Sequence, residues 1–354
     1  MHLSHEISYQ FSQFGFVSSL ICNSVFLYLT AFRIKKITGT YKLMVLVFAS
    51  VGIVFSAWDL IARPFAHSFN AGFVYFSLNS LIQEYPYFFQ FAILLYASFY
   101  IVILAIIAVQ FAFRYSTLYK PNIAKNFGGY GVIVWMLYCI FCGLIYGAAL
   151  GHFGHPDDYS DDYMSEPVQK MYNYSITSLP RFPIIPYAAD GSVRWNNIYF
   201  LIIGVFIINI QYVIILYFGV RMRTILKNEL QQQSIVNQKL QKQFFKALVV
   251  QTVVPTLFFV LPIAPILIAP LFEPLITIKM NLPSGWVYVI VSMFPPVDTI
   301  AFMIIVKEYR TALKGNTRHI ERLKSFLLSD LFNVIFWNKF NAVSDVSTRT
   351  SRTT

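Results

Sequence analysis

Two histidine pairs, His2-x-x-His5 and His152-x-x-His155, carry a spacing that metal ligands use, and the second lies beside Asp157 and Asp158. Imidazole and carboxylate at such intervals can hold zinc. Two ligands do not make a site, so we read both pairs as ordinary loop histidines, with no metal and no cofactor. The sequence contains no H-E-x-x-H, phosphate-binding loop, nucleophile elbow or dinucleotide fingerprint, and nothing in it calls for an enzyme. Two acids stand out by their surroundings. Asp59 and Asp298 each lie inside a long apolar run. A carboxyl at that depth is costly and marks an ion pair, a polar network or a ligand contact. Asp59 precedes Arg63 by four residues. At that spacing the two share a helix face and can pair; a ligand-facing acid is the other reading. Asp298 lies about eight residues, roughly 12 Å, from the C-terminal end of its run. Asn23 and Ser50 reach the same depth by the same count. We therefore expect an Asn23–Ser50–Asp298 cluster beside Pro295 and Pro296, whose rings interrupt the helix ladder and free backbone carbonyls. Such a cluster is either an activation hinge with a polar latch or a static packing network.

The elements that carry these residues are seven apolar runs, near 9–31, 43–63, 87–111, 128–150, 198–220, 247–271 and 285–306. About twenty apolar residues span a bilayer core of roughly 30 Å. Lipid offers no hydrogen-bond partners, so each run must be a helix. The composition agrees: 57% of residues are hydrophobic, 12% are charged and mean hydropathy is +0.58. The predicted fold is an all-α, seven-span bundle over 1–314, with a tail over 315–354. The first run is too long for a cleavable signal and reads as a signal anchor.

Basic residues set the expected orientation. Of the 27 Lys and Arg residues, all but Arg63, Lys170, Arg181, Arg194 and Lys279 fall in the odd-to-even connections or the tail. That places the N-terminus outside and the tail inside, with an inner face suited to anionic membrane lipid. The acidic loop 151–196 holds the sole N-x-[ST] sequon, Asn173-Tyr174-Ser175. Glycosylation at Asn173 fits an outer loop. Cys22, Cys139 and Cys142 all lie within runs, which leaves no outer disulfide and makes them small apolar fillers.

The sixth run contains Pro255, Pro262, Pro265 and Pro270, and an apolar stripe, Val236, Leu240, Phe244 and Leu248, continues it inward. Proline kinks a helix, so a bend near Pro255 that lets the inner end swing is expected; a fixed bend is the alternative. Arg114 and Tyr115 close the third run at the inner surface. Arg114 either snorkels to lipid phosphate, or forms a latch, or, with Tyr115, Lys242 and Lys246, faces a partner. The tail has an apolar periodicity over 319–340 that could lie on the inner leaflet. Its Ser/Thr-rich end is a candidate for phosphorylation. The basic loops are short and carry no nucleic-acid-binding signature.

Long stretches also match a known family. These are Asn23 through Gly39-Thr40-Tyr41-Lys42, Arg63-Pro64-Phe65-Ala66-His67-Ser68 and Gln110-Phe111-Ala112-Phe113-Arg114-Tyr115. The block Leu240–Thr252 leading to Val254-Pro255 and Pro262 follows, then Pro295-Pro296-Val297-Asp298-Thr299 and Lys307-Glu308-Tyr309-Arg310. Over most of residues 1–314 the chain resembles the nematode Str-type (class Str/Srj) seven-helix chemoreceptors. By that resemblance Arg114 takes the place of the arginine at the inner end of helix 3 in serpentine receptors. The acid that precedes it in rhodopsin-like receptors is here Phe113. The resemblance implies a G-protein-coupled odorant receptor in the plasma membrane of a sensory cilium. Its partners would be a small, apolar or volatile ligand, a heterotrimeric G protein and, at the tail, arrestin or a kinase. We expect the ligand pocket between the outer halves of helices 3, 5, 6 and 7, walled by Phe88, Phe91, Leu95, Tyr199, Phe206, Pro262 and Tyr288. The alternative class is a ligand-gated channel or a small-molecule transporter; the charge count opposes an inside N-terminus, and no internal repeat supports a transporter.

Overall fold

The computed structural model describes residues 2–70, 72–228, 235–272 and 281–314. Among them, seven helices are long and apolar enough to cross a membrane: Ser8–Arg33, Gly39–Ala62, Pro86–Tyr119, Tyr130–Phe153, Trp195–Lys227, Gln238–Phe272 and Gly285–Ile305. They form the expected bundle. In detail, α1 (His2–Tyr28) ends in a π turn, and α2 (Gly39–Ala62) and α3 (Pro86–Tyr119) follow. A short α4 (Pro121–Lys125), α5 (Tyr130–Phe153), α6 (Asp158–Tyr172) and α7 (Trp195–Asn228) come next. The sixth span is α8 (Ile235–Pro255), a π turn (Thr256–Val260) and α9 (Leu261–Ile268). The seventh is broken into α10 (Gly285–Ser292) and α11 (Phe294–Ile305), and α12 (Lys307–Lys314) follows. The candidate surface helix at 319–340 and the rest of the tail lie outside the described residues.

The centre of the bundle is α3, whose residues from Ile103 to Phe111 are all buried. It touches α2, α5, α7 and α8. Small residues set how closely α5 approaches: a Cβ on Gly143 would stand 2.6 Å from Val102 Cγ2, and one on Gly147 would collide with Ser98 Oγ. In a bilayer, where apolar burial gives helices no reason to associate, such close backbone packing is a main source of cohesion.

The apolar runs do not announce what closes one end of the bundle. Four short strands, β1 (Pro64–Phe69), β2 (Gly72–Ser77), β3 (Arg181–Ile184) and β4 (Asn281–Pro283), form an antiparallel sheet in the order β3-β2-β1-β4. The β1–β2 hairpin pairs Pro64 with Ser77 and Phe69 with Gly72, and turns through Asn70 at φ +47. Helix α6 covers the sheet. Met164 and Val168 of α6 share a second core with Phe65, Val74 and Phe76 of the hairpin. We call this the cap end. The opposite end, where the Lys- and Arg-rich connections lie, is the basic end.

In place of a disulfide, ion pairs fasten the cap. Arg181 at the start of β3 forks onto Asp161 of α6, with Nε 2.6 Å from Oδ1, and Arg194 pairs with Asp157. Asp157 also caps α6: its carboxylate accepts from the Ser160 N–H at 2.8 Å while Ser160 Oγ accepts from the Asp157 N–H. Partial burial works against the charge, yet these hydrogen bonds hold the Asp157 carboxyl below its usual range,. Asp157 thus fastens the cap as well as the start of α6.

Candidate functional site

Directly under the sheet lies a cavity of about 80 Å³. Its roof is Ala66 of β1 with Phe73 and Tyr75 of β2. Its walls are Phe55 of α2, Tyr96, Ala97 and Tyr100 of α3, and Tyr146 and Leu150 of α5. Phe200 of α7, Ile263, Ile266 and Leu267 of α9, and Val287, Tyr288 and Val291 of α10 complete it. The lining is apolar carbon with five tyrosine hydroxyls set into it. Such a surface binds a small, largely apolar molecule and has polar points to orient it. It assembles no nucleophile–base pair.

Of the residues expected to wall the pocket, only Tyr288 does so. Phe88, Phe91, Tyr199 and Phe206 are 45, 54, 47 and 64% exposed on the outside of the bundle. Leu95 is half-buried and Pro262 buried, yet neither lines the cavity. The error is mostly one residue of phase. Tyr96, Phe200 and Ile263 line it where Leu95, Tyr199 and Pro262 were expected, and one residue turns a helix face by about 100°. Helices that are apolar on every side give the sequence no stripe from which to read that phase. Tyrosine carried the missing signal: a phenol in the hydrocarbon layer must turn its hydroxyl inward to a partner, whereas phenylalanine can face lipid.

The expected polar cluster is corrected as well. Ser50 is exposed; two residues from Gly52, it points about 200° away from the face that packs on α1. Asn23 is buried, donates to Ser19 O at 3.0 Å, and accepts from Thr299 Oγ1 at 2.6 Å. So Thr299, not Asp298, joins α11 to α1. Asp298 is buried with Gln251 of α8 turned toward it, and neither carboxylate oxygen has a hydrogen bond of good geometry. Pro295 and Pro296 do break the seventh span, as the first turn of α11, where the missing N–H costs nothing. Pro255 ends α8, and the expected bend there takes the form of the π turn.

The ion pair between Asp59 and Arg63 does not form. Arg63 takes a left-handed conformation that ends α2, and its guanidinium lies 3.4 Å above the Tyr9 ring. Asp59 instead turns inward and accepts from Ser292 Oγ at 2.7 Å, with Ser12 Oγ 3.1 Å from Ser292 Oγ.

At the basic end, Arg114 does not snorkel. It is buried, its guanidinium 3.6 Å from the centre of the Tyr41 ring and 4.2 Å from that of Phe244. Phe113 stacks parallel to Tyr41 at 6.4 Å. The position that would hold an acid in rhodopsin-like receptors thus supports an aromatic clamp. Tyr115 faces away, against Phe218 of α7. Lys242 is exposed and Lys246 half-buried on α8. Asn173 caps the C-terminus of α6 and is exposed at the cap end.

One residue that sequence reasoning missed joins the cavity to the break in the seventh span. Phe259, in the π turn, is fully buried. It meets the cavity-lining rings of Tyr100 at 5.1 Å and Phe55 at 5.7 Å, and lies 4.4 Å from the tilted ring of Phe294 at that break.

The family model described as serpentine type 7TM GPCR chemoreceptor Str matches residues 8–314. The chain is 36% identical over 314 residues to G-protein coupled receptor str-33 of Caenorhabditis elegans, covering 87% of this chain and 90% of that one. It is 24% identical over 334 residues to serpentine receptor class r-10 of the same organism, covering 90% and 95%. Among solved structures, squid rhodopsin aligns with a TM-score of 0.49 and 11% identity, covering 92% of this chain and 89% of that one.

Proposed function

This chain belongs to the serpentine seven-transmembrane chemoreceptor family Str, and from that premise we propose that it is an odorant receptor that binds a small, largely apolar ligand beneath the sheet and activates a heterotrimeric G protein at its basic end. As a member of that family it is a multi-pass membrane receptor and not an enzyme. We further propose that the cap end faces outward from the plasma membrane, with a sensory cilium as the natural site. A kinase and arrestin are candidate partners at the Ser/Thr-rich tail.

One observation carries the reading. A single span supplies the cavity wall at one end, through Ile263, Ile266 and Leu267, and the lid over Arg114 at the other, through Phe244. The π turn and Phe259 lie between. A ligand that fills the cavity presses on Tyr100 and α9 together. Repacking at Phe259 then changes the angle at which α8 leaves the turn. Swinging α8 outward lifts Phe244 off Arg114 and bares a cationic, donor-rich surface for a partner. The ligand drives this only by the difference in its affinity for the two arrangements.

The test is a panel of small volatile compounds applied to cells expressing this chain with a G-protein reporter. The expected result is a saturable response that Ala97→Phe abolishes by filling the cavity, at unchanged surface expression. A ligand-evoked current that persists when the G protein is inactivated would overturn the reading in favour of a channel.

A further inference from the structure

Asp59 is a buried acid with no cation beside it among the described residues. It is 1% exposed; Oδ2 accepts from Ser292, and Oδ1 has no hydrogen-bond partner. The groups that act on it are hydroxyls, those of Ser292, Ser12 and Tyr96. The arginine four residues on is turned away over Tyr9. A buried carboxylate is tolerated when it is paired, and no described residue supplies it a counter-charge.

Asp59 also adjoins the cavity. It lies one turn from Phe55 on the same face of α2, and Phe55 lines the cavity,. Tyr75, Tyr96 and Tyr288, all lining residues, lie close enough to feel its charge. The Tyr96 hydroxyl is buried and near enough to the Asp59 carboxyl to act on it, but makes no hydrogen bond of good geometry. The four rings line one side of the cavity as a continuous aromatic surface: Phe55 stacks on Tyr96 at 5.1 Å, Tyr96 meets Tyr288 at 6.4 Å, and Tyr288 stacks on Tyr75 at 6.1 Å. Aromatic rings at a cavity wall attract ammonium ions.

On the reading that this cavity is the ligand site, we propose that the ligand is a small protonated amine. Its ammonium group lies against Phe55, Tyr75, Tyr96 and Tyr288 and donates to Asp59 and the Tyr96 oxygen. Its short hydrocarbon body lies toward Leu267 and Tyr100. The cavity limits the body. An apolar cavity of about 150 Å³ holds benzene, and this one offers about 80 Å³, so a chain of a few carbons fits and a substituted ring does not.

The test is a matched series, n-butylamine, 1-butanol and n-pentane, with hexylamine and a bulky arylamine for size. The reporter response and the thermal stability of the purified full-length receptor are both measured. Butylamine should act at a concentration at least tenfold below that of butanol. Asp59→Asn should remove that advantage, bringing amine and alcohol together. Tyr96→Phe keeps the ring and loses the hydroxyl, so it should cost less than Asp59→Asn, and it serves as the second variant should Asp59→Asn fail to reach the surface. Equal potency of amine and alcohol, with both variants unchanged, would overturn the amine assignment. If only neutral compounds act and Ala97→Phe still blocks them, the amine proposal falls and the receptor reading stands. If no compound acts or stabilises, both fall.

Discussion

Arg114 is held by rings rather than by an acid, and that choice sets how firmly the resting arrangement is held. A cation over a ring contributes about 0.5–2 kcal/mol, the more when desolvated. Truncating either ring should therefore raise basal activity. We expect Tyr41→Ala or Phe244→Ala to increase ligand-free nucleotide exchange roughly two- to thirty-fold. Arg114→Ala should leave ligand binding within a few-fold while removing most G-protein activation. The two effects separate because the cavity is some 20 Å away along α3. Normal exchange in the arginine variant would show that the clamp is packing alone. This clamp was half legible in the sequence. The arginine and its place at the inner end of the third span were; its ring partners were not, because they come from α2 and α8, which only tertiary packing brings together. Of the two readings of Asp59, the pair with Arg63 fails for the opposite reason. Its spacing from Arg63 fits a local pair, but α2 ends one residue too early for Arg63 to stay on the helix face.

At the scale of elements, the cap is the part the sequence concealed. Its strands are three to six residues long and partly apolar, and beside seven long runs they give no signal. Within it, His67 of β1 is fully buried, its Nδ1 3.2 Å from the Tyr172 hydroxyl. Burial pushes its pKa down to about 4, although nearby Asn281 opposes the shift. The neutral ring is thus the form that the folded cap accepts. As pH falls through the ordinary histidine range near 6.5, the unfolded chain takes up a proton and the folded chain does not. Stability should fall from there until about pH 4 and then level off. At pH 5 the loss is about 2 kcal/mol. Protection factors of the Phe65–Ser68 amides, which correct exchange for its intrinsic slowing in acid, should fall between pH 7.5 and 5, and His67→Gln should flatten the dependence. Protection factors that ignore pH in this window would mean that the ring is charged or solvated in the folded cap.

For the whole molecule, the seven spans and the asymmetry of basic charge were legible because lipid allows only one answer to a long apolar run. Rotation about each helix axis was not, since lipid-facing and core-facing surfaces are alike in chemistry. Orientation can be tested directly. A tag at residue 2 should be antibody-accessible on intact cells and a tag at residue 354 should not. Glycosidase should shift the band of the natural chain and not that of Asn173→Gln, since the exposed sequon lies at the cap end. The reverse accessibility would put Arg114 on the wrong side of the membrane for a G protein.

The π turn at Thr256–Val260 has a consequence in register. The Leu261 N–H bonds to the Thr256 carbonyl five residues back, so the span carries one residue more than a continuous α-helix would need. That surplus residue is what lets Phe244 face Arg114 while Ile263 and Leu267 face the cavity. The two halves of the span are keyed to each other like the teeth of two gears on one shaft. Deleting a single residue from 256–260 would close the helix and turn one half by about 100° against the other. The apolar character of the span would be untouched, and the chain would still insert and still fold as seven helices. It could then satisfy its cavity or its clamp, but not both. In this chain a deletion inside the span should therefore be tolerated only with a compensating insertion, a constraint on length that substitutions alone would never reveal.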